Sequence, residues 1–318
     1  STALSQNQVQ EFLSIGSLSG SEENLLALWK FNAGEGDILY DHSGNGNHGE
    51  IIGGEWVEEI FGCLDPLAVN FDELATYDNG NCEYPDNGDY SLSFDGEDDN
   101  CILPENILYG RSIFSIEVEF FAESGQEGYS DIFQIDGGVF ARYYNGDSNF
   151  QISLHSNNET VGTNNNEFLP SFFEWHKLVI TWDGSTYCSY LDGIQLDCDP
   201  LTGHFHSQNS LYLGNWLTQE GFKGMIDEFR IWDIALSESE LEANVNQEVD
   251  IENEGLIAYY KFNSGSGDTL YDHSGNANHG TIYGANWVCQ AEMDLCGVCD
   301  GDNSTCDIIT DVDGNEYG

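Results

Sequence analysis

The sequence has very few basic residues. Its 318 residues include 7 Lys and Arg against 57 Asp and Glu, which gives a formal net charge of −50. Binding to nucleic acid or to an anionic membrane needs a Lys- and Arg-rich face, so this shortage argues against both as direct partners. A folded chain of this charge repels itself, and we expect salt or divalent cations to support folding.

Long apolar runs and methionine are also scarce. No stretch approaches the roughly 18 apolar residues of a membrane-spanning helix, and no signal peptide is visible. Met occurs twice, whereas Gly occurs 36 times and Cys nine times, mostly in close pairs. Close Cys pairs in acidic loops favour small disulfide loops of a secreted protein. The CGVC run at 296–299 has zinc-like spacing, but no partner pair follows it. Because the chain starts without Met, we expect a piece of a larger secreted protein.

Aromatic residues are plentiful, with 18 Phe, 16 Tyr and 7 Trp, which indicates a packed core rather than an acidic disordered chain. Segments such as SIFSIEVEFF, WHKLVITWD and MIDEFRIW alternate apolar and polar residues between Gly, Asn and Asp clusters. One short helix is predicted at 235–245, with Ser237 as N-cap and Glu240 completing a capping box. Short strands at regular spacing predict an all-β fold, an antiparallel jelly-roll β-sandwich.

The chain contains an internal repeat. Residues 24–57 and 255–288 align without a gap at an offset of 231 and agree at 22 of 34 positions. A weaker match links 3–12 to 235–244. Together they indicate a repeat unit of roughly 230 residues and favour a tandem array. The strands of 255–288 are apolar, so we expect them to pair with a sheet, either in this core or in a neighbouring chain.

Several segments resemble a known family. SFDGEDD, WHKLVITWDGS, YLDG and FKGMIDEFRIWDIALSESEL resemble a laminin-G-like domain of the concanavalin A-like lectin/glucanase group, and YDHSGNGNHG resembles its opening motif. The stretch 58–88 interrupts this pattern and resembles a calcium-binding, thrombospondin-type-3-like insert. The resulting division is 1–23, tail of a preceding repeat; 24–57, first opening motif; 58–88, insert; 89–249, jelly-roll core; 255–288, second opening motif; 289–307, Cys/Asp-rich segment; and 308–318, start of a further module.

Two pairs of cysteines are expected to form disulfides. Cys63 and Cys82 bracket an acidic loop, a closure that stabilises by about 3 kcal/mol in the chain-entropy model. Cys188 and Cys198 flank the LDGI hairpin and form a second expected pair. With nine Cys at least one is unpaired within the chain, and we expect this to be Cys101.

Calcium is the expected cofactor, because Ca²⁺ prefers oxygen ligands presented on glycine-rich turns. The opening motifs, the insert and the Cys/Asp-rich segment each supply such oxygens, and the resemblance adds residues near both ends of the core. The alternative is that these are solvated turn residues. The candidate ligands are Asp41, Asn45, Asn47, Asp272, Asn276, Asn278, Asp65, Asn70, Asp72, Asp78, Asp300, Asp302 and, from the resemblance, Asp95, Asp98 and Asp227.

Catalysis is not expected. EVDIE at 248–252 fits a pattern of laminarinase-type glycosidases, which act with two carboxylates across the scissile bond. It follows the closing motif, however, and the matching connector at 15–23 lacks it, so an acidic linker is the better interpretation. The motif histidines, such as His42 and His273, are explained as well by hydrogen bonds to backbone as by metal binding.

Carbohydrate binding is the common enzyme-free use of the fold that the segments resemble. Sugars stack on exposed aromatic rings beside polar groups, and the candidates are Tyr143, Tyr144, Asn145 and Trp216. The alternative is that these rings fill the core. The sequence therefore predicts a non-catalytic, calcium-stabilised repeat of a secreted, cell-surface or filament-forming adhesin, whose partners are neighbouring repeats, copies of the same chain or surface glycans. The rival is a carbohydrate-binding module appended to a polysaccharide-degrading enzyme.

Overall fold

A computed structural model describes residues 24–165, 169–215, 221–237, 239–241 and 255–291, together with Gln6, Cys299, 309–310 and 316–317. The chain divides into two compact units, one of residues 1–61 and 74–77 and the other of 62–73 and 78–318.

The structure is built almost entirely of β-strands. The first strands are β1 (Ile38–Leu39), β2 (Gly49–Glu50), β3 (Phe61–Gly62), β4 (Tyr77–Asp78), β5 (Tyr90–Asp95), β6 (Asn100–Leu103), β7 (Phe114–Ala122), β8 (Tyr129–Ile135), β9 (Val139–Tyr144), β10 (Phe150–His155), β11 (Thr160–Val161) and β12 (Asn164–Asn165). The others are β13 (Trp175–Trp182), β14 (Thr186–Leu191), β15 (Ile194–Pro200), β16 (Leu211–Leu213), β17 (Lys223–Trp232), β18 (Leu256–Tyr260), β19 (Thr269–Leu270), β20 (Gly280–Tyr283), β21 (Asn286–Cys289), β22 (Ile309–Thr310) and β23 (Glu316–Tyr317).

The larger unit is a sandwich of two antiparallel sheets, which confirms the predicted jelly-roll fold. One sheet has the strand order β11-β10-β9-β8-β16-β6-β20-β19, with β12 also on β10. The other has the order β15-β14-β13-β7-β17-β5-β21, with β18 also on β17. The predicted helix is described only at 239–241, where the Glu240 carboxylate accepts a hydrogen bond of 2.7 Å from the Ser237 N–H, one half of the capping box.

Strand alternation builds the core between the sheets. In β7, Phe114, Ile116, Val118 and Phe120 are at most 1% exposed, because successive side chains of a strand point to opposite faces and these four share one. Each such burial contributes about 1.5–3 kcal/mol of transfer free energy.

A bulge in β17 preserves this inward packing. Ile226 and Phe229 are both fully buried although they are three positions apart, a spacing that regular alternation would place on opposite faces. The register shifts between Asp227 and Arg230, and Glu228 adopts a positive φ of 50°. The extra residue returns Phe229 to the core and turns the Glu228 side chain outward.

A charged network lies on the outer face of the sheet that contains β17. Glu117 is fully buried and pairs with Lys177 at 3.5 Å and with Arg230 at 3.1 Å. Arg230 also pairs with Glu228, and the Tyr259 hydroxyl donates to Glu228 at 3.1 Å. Each buried charge therefore has an opposite partner, which buried charges require.

The second opening motif (255–288, "the second copy") belongs to this sandwich. Its strand β18 pairs with β17, β20 with β6, and β21 with β5. The prediction that these apolar strands pair with a sheet is confirmed, and the sheet is in this core.

The first opening motif (24–57, "the first copy") lies in the smaller unit. Its hairpin pairs Ile38 with Glu50 and Leu39 with Gly49. Several of its large apolar side chains are exposed, including Leu26, Phe31, Ile52 and Val57.

Among the residues that the structure describes, three disulfides cross-link the larger unit. Both predicted pairs, Cys63–Cys82 and Cys188–Cys198, are present, and a third joins Cys289 to Cys299. The third pair uses one cysteine of the CGVC run, which leaves that residue unavailable to zinc. Cys101 is buried and unpaired as predicted, and burial raises the pKa of its thiol well above the usual range.

Candidate functional site

An acidic turn between β5 and β6, residues 95–99, forms the rim of the sandwich ("the acidic rim"). Carboxylate oxygens of Asp95, Asp98 and Asp99 lie within 4.8 Å of one another. The turn is tight: the Asp95 N–H donates to Asp99 at 3.0 Å, and the Glu97 N–H donates to Asp95 at 2.8 Å. Among the described residues, this is the one group of carboxylates arranged so that it could hold a metal ion.

The rim borders a cleft of about 540 Å³ whose lining includes Glu127 and Lys223. Asp99 is buried, whereas Asp95 and Asp98 are exposed. Burial raises the pKa of Asp99, and the charges of Asp95 and Asp98 raise it further despite the backbone hydrogen bond. A bound cation would relieve this repulsion, and hard oxygen ligands suit Ca²⁺.

The second copy approaches the acidic rim through Gly284. A Cβ at this position would lie 2.1 Å from an Asp99 oxygen, and the residue has φ +80°, so the turn requires glycine. The rim is thus shaped by both the β5–β6 turn and the β20–β21 turn.

Sequence reasoning identified Asp95 and Asp98 and missed Asp99. The three aspartates fall within five residues in SFDGEDDN, and that density was the available signal. The resemblance implied that Asp95 or Asp98, together with Asp227, completes the calcium site of the opening motif. Asp227 lies on β17 opposite Glu119 and outside the acidic cluster. Its burial, together with the neighbouring Glu228 charge, raises the pKa of Asp227 to about 9.

The aspartates of the opening motifs accept hydrogen bonds from their own turns. Asp41 accepts from the N–H groups of Leu28, Ser43 and Asn47 and from the Ser43 hydroxyl, at 2.8–2.9 Å. Burial acts to raise the pKa of Asp41, but these bonds dominate and hold it well below its usual range. The amide of Asn45 donates to the Leu25 carbonyl. Calcium binding by this motif stays a prediction beside the hydrogen-bonding role.

The second copy repeats this cage. Asp272 is fully buried and accepts from the N–H groups of Tyr259, Ser274 and Asn278 at 2.8–2.9 Å. The side-chain amides of Asn276 and Asn278 donate to backbone carbonyls at 2.9–3.0 Å. The same residues thus fix the shape of both copies.

In the insert, the predicted calcium residues serve separate contacts. Asp65 accepts from the Tyr84 hydroxyl at 2.7 Å, and Asn70 bridges the Asn81 carbonyl and the Glu83 N–H. Asp78 accepts from the Gly80 N–H at 2.9 Å. The Asp72 N–H donates to the Cys63 carbonyl at 3.0 Å. Asp300 and Asp302 lie outside the described residues.

The predicted sugar-binding residues divide between the core and the surface. Tyr143 is fully buried and stacks on Phe172 at 5.4 Å, so the prediction for this residue is wrong: neither ring face is open to a sugar. Tyr144 is half-buried on the opposite face of β9, 5.1 Å from the Tyr129 ring. Asn145 forms the turn after β9 with φ 55°. Trp216 lies outside the described residues.

The structure shows a larger surface around Tyr144, formed by Tyr129, Phe140, Arg142 and Tyr144 ("the aromatic face"). The Arg142 guanidinium lies 4.5 Å from the centre of the Tyr129 ring and 3.9 Å from that of Phe140. Gln151 accepts from Arg142 at 3.1 Å. Alternation in VFARYY places Phe140, Arg142 and Tyr144 on one face of β9, a signal that sequence reasoning had not used.

Residues 95–242 match the concanavalin A-like lectin/glucanases superfamily. They form a laminin-G-like domain of that superfamily. No curated protein sequence matches the chain.

Solved structures that are similar to this chain include binding domains. A Bacteroides ovatus protein inferred to bind carbohydrate is 18% identical over 65% of this chain, with a TM-score of 0.52, and the match spans 61% of that protein's length. Domain 4 of AbnA, an extracellular GH43 arabinanase from Geobacillus stearothermophilus solved with arabinotriose, is 20% identical over 49% of this chain and 76% of its own, with a TM-score of 0.41. Mouse laminin α1 domains LG4–5 are 12% identical over 47% of this chain and 44% of their own, with a TM-score of 0.37. The likeness to the Bacteroides ovatus protein, at 18% identity, shows the fold alone.

Proposed function

We propose that the chain is a non-catalytic, calcium-stabilised repeat of a secreted, cell-surface or filament-forming adhesin, and that its laminin-G-like domain binds glycans. Disulfides form in oxidising compartments, so three of them favour an extracellular setting. No helix among the described residues is long and apolar enough to cross a membrane. The repeated opening motif favours an adhesin array over a module of an enzyme.

The aromatic face is the observation that supports glycan binding. Tyr129 is 44% exposed, and its ring is held beside Arg142 and Tyr144. A sugar ring stacks its C–H groups on such an aromatic, while Arg142 and Gln151 offer hydrogen bonds to its hydroxyls. Holding the guanidinium between two rings limits its motion, which lowers the entropy lost on binding.

The test is a glycan array, followed by titration of any glycan that binds. Tyr129→Ala should weaken binding about tenfold or more, the usual effect of removing an aromatic anchor worth more than about 1.4 kcal/mol. Tyr283→Ala is the matched control, because Tyr283 is 51% exposed and lies outside the aromatic face. Equal loss of binding in the two variants, or an array without signal, would refute glycan binding at this face.

A further inference from the structure

We propose that the first copy of the opening motif closes the sandwich of a second copy of this chain, in the same way that the second copy closes the sandwich here. The position involved is the one bounded by β5, β6 and β17, which 255–288 occupies in this structure ("the closing site"). The inference concerns assembly and does not depend on glycan binding.

The two copies share their internal contacts. The hairpin of the first copy pairs Ile38 with Glu50, and the second pairs Thr269 with Thr281, which is the same register at the offset of 231. Further equivalent features are the bridges Trp29–Asp41 and Tyr260–Asp272, the φ of 53° at Phe31 and Phe262, and the hydrogen bonds from the Trp56 and Trp287 indoles to the Gly36 and Gly267 carbonyls.

The two copies differ in how far their large apolar side chains are exposed to solvent. In the second copy, Ile257, Tyr260 and Phe262 are 9%, 0% and 1% exposed. The equivalent residues of the first copy, Leu26, Trp29 and Phe31, are 63%, 43% and 67% exposed. A preformed motif with three large apolar side chains in water marks an interaction surface. The surface that these side chains fit is present in the structure, because it buries their counterparts.

The insert adds recognition of side chains that both copies share. Tyr84 stacks on Tyr271 at 5.4 Å and meets His273 and His279 edge-on at 5.4 and 5.0 Å. Asp65 contacts His279. The first copy keeps all three partners, as Tyr40, His42 and His48. We therefore expect these residues to meet Tyr84 and Asp65 of the second chain.

One difference makes the first copy the weaker occupant. Tyr259 of the second copy donates to Glu228 at 3.1 Å, and its ring lies 4.8 Å from the Arg230 guanidinium. The equivalent residue of the first copy is Leu28, which offers neither contact. Occupation by the first copy consequently needs a closing site from which the second copy is displaced.

Disulfide trapping tests the contact in full-length chains. The acceptor chain carries Ser93→Cys, with Phe262→Asp to displace its second copy and Phe31→Asp to disable its first. The donor chain carries Glu55→Cys. Ser93 is the direct strand partner of Asn286, whose counterpart in the first copy is Glu55. Mild oxidation of the mixture should give a disulfide-linked dimer of the two chains.

Two further variants check that the trapped contact is the proposed one. Phe31→Asp in the donor should abolish the dimer. Leu28→Tyr in the donor should raise its yield about fivefold under limiting donor, the equivalent of a hydrogen bond worth about 1 kcal/mol. The proposal is overturned if a folded acceptor gives no disulfide-linked dimer. It is also overturned if Phe31→Asp in the donor leaves the yield of the dimer unchanged. So does a single chain carrying Glu55→Cys, Ser93→Cys and Phe262→Asp that cross-links only within itself.

A second measurement covers the case of an acceptor that does not fold. In the full chain, residues 255–288 are replaced by the sequence of 24–57. This chain should melt cooperatively, and Tyr at the position of Leu28 in the graft should raise its melting temperature. A graft that melts no better than the Phe262→Asp variant would show that the first copy does not fit the closing site.

Discussion

The Oδ2 atom of Asp65 lies 2.5 Å from the Nε2 atom of His279, although the two residues are 214 positions apart in the sequence. The same oxygen accepts from the Tyr84 hydroxyl at 2.7 Å. This contact joins the insert to the second copy of the opening motif within the larger unit. Burial acts to raise the pKa of Asp65, and the bonds from Tyr84 and His279 outweigh it and lower the pKa.

The first prediction is that Asp65 and His279 are energetically coupled. Asp65→Asn and His279→Gln should each lower the free energy of unfolding by about 1–3 kcal/mol, the range for hydrogen bonds with a charged partner. The double variant should lose less than the sum, because each single change already removes the contact. Urea denaturation of the four chains measures the coupling, and strict additivity would contradict it.

The second prediction concerns pH. His176 Nδ1 lies 2.7 Å from Asp192 Oδ2, which raises the pKa of His176; the same bond overcomes burial and lowers the pKa of Asp192. A raised His pKa stabilises the fold below the unfolded value of about 6.5, and this is lost as pH rises through the folded value. A lowered Asp pKa stabilises above about 3.9 and is lost as pH falls.

The contribution of this pair should therefore be largest between about pH 4 and 6.5 and should decline above that window. His176→Gln should flatten the decline, and Asp192→Asn should do the same, because either change removes the ion pair. Thermal melts from pH 5 to 8.5 provide the measurement, with Tyr283→Ala as a chain in which the pair is intact. If His176→Gln left the decline of the melting temperature with pH as steep as in the wild type, the assignment of this decline to the His176–Asp192 pair would be contradicted.

How far the sequence predicts the structure can be argued from single residues. Alternation suffices to find the strands, and in VFARYY it also separates buried Tyr143 from half-buried Tyr144. It does not reveal the bulge at Glu228, because the bulge depends on how β17 and β7 pair across more than a hundred residues.

The site was harder to predict for a chemical reason. A calcium loop and a hydrogen-bonded cage both place Asp and Asn on Gly-rich turns, so Asp41 fits either from sequence. The sequence also does not show which copy closes the sandwich, since 22 of 34 residues agree. The distinguishing contact, from Tyr259 to Glu228, joins residues 31 apart and needs three-dimensional coordinates.

The third prediction is that calcium stabilises the fold through the acidic rim. An ion that binds only the folded state at a hundredfold excess over Kd adds about 2.7 kcal/mol. Chelator should lower the melting temperature, and Ca²⁺ should restore it where NaCl of equal ionic strength does not. Asp98→Asn should shrink this response, because Asp98 is exposed and its loss leaves the tight turn intact.

The control for this experiment must itself be free of structural contacts. Asp147, which lies in an exposed-looking loop sequence, is unsuitable: its carboxylate accepts from the N–H groups of Gly125 and Gln126 at 2.8–2.9 Å. Asp268→Asn is the better control, since this aspartate is exposed and outside the acidic rim. A chelator response of equal size in Asp98→Asn and Asp268→Asn would refute a site at the rim.

The fourth prediction compares the two cages. Asp272 is fully buried and Asp41 is 8% exposed, and each accepts three backbone N–H bonds and one from a serine hydroxyl. Asp272→Ala leaves the buried donors unpaired and should lower the free energy of unfolding of the sandwich by about 2–4 kcal/mol. Asp41→Ala should leave the sandwich transition nearly unchanged, because Asp41 shapes the first copy in the smaller unit.

Hydrogen exchange followed by mass spectrometry distinguishes the effects of the two substitutions. Asp272→Ala should deprotect β5, β6 and β17, which the second copy pairs with. Asp41→Ala should deprotect only 24–57. Deprotection of β5 and β17 by Asp41→Ala would contradict this prediction.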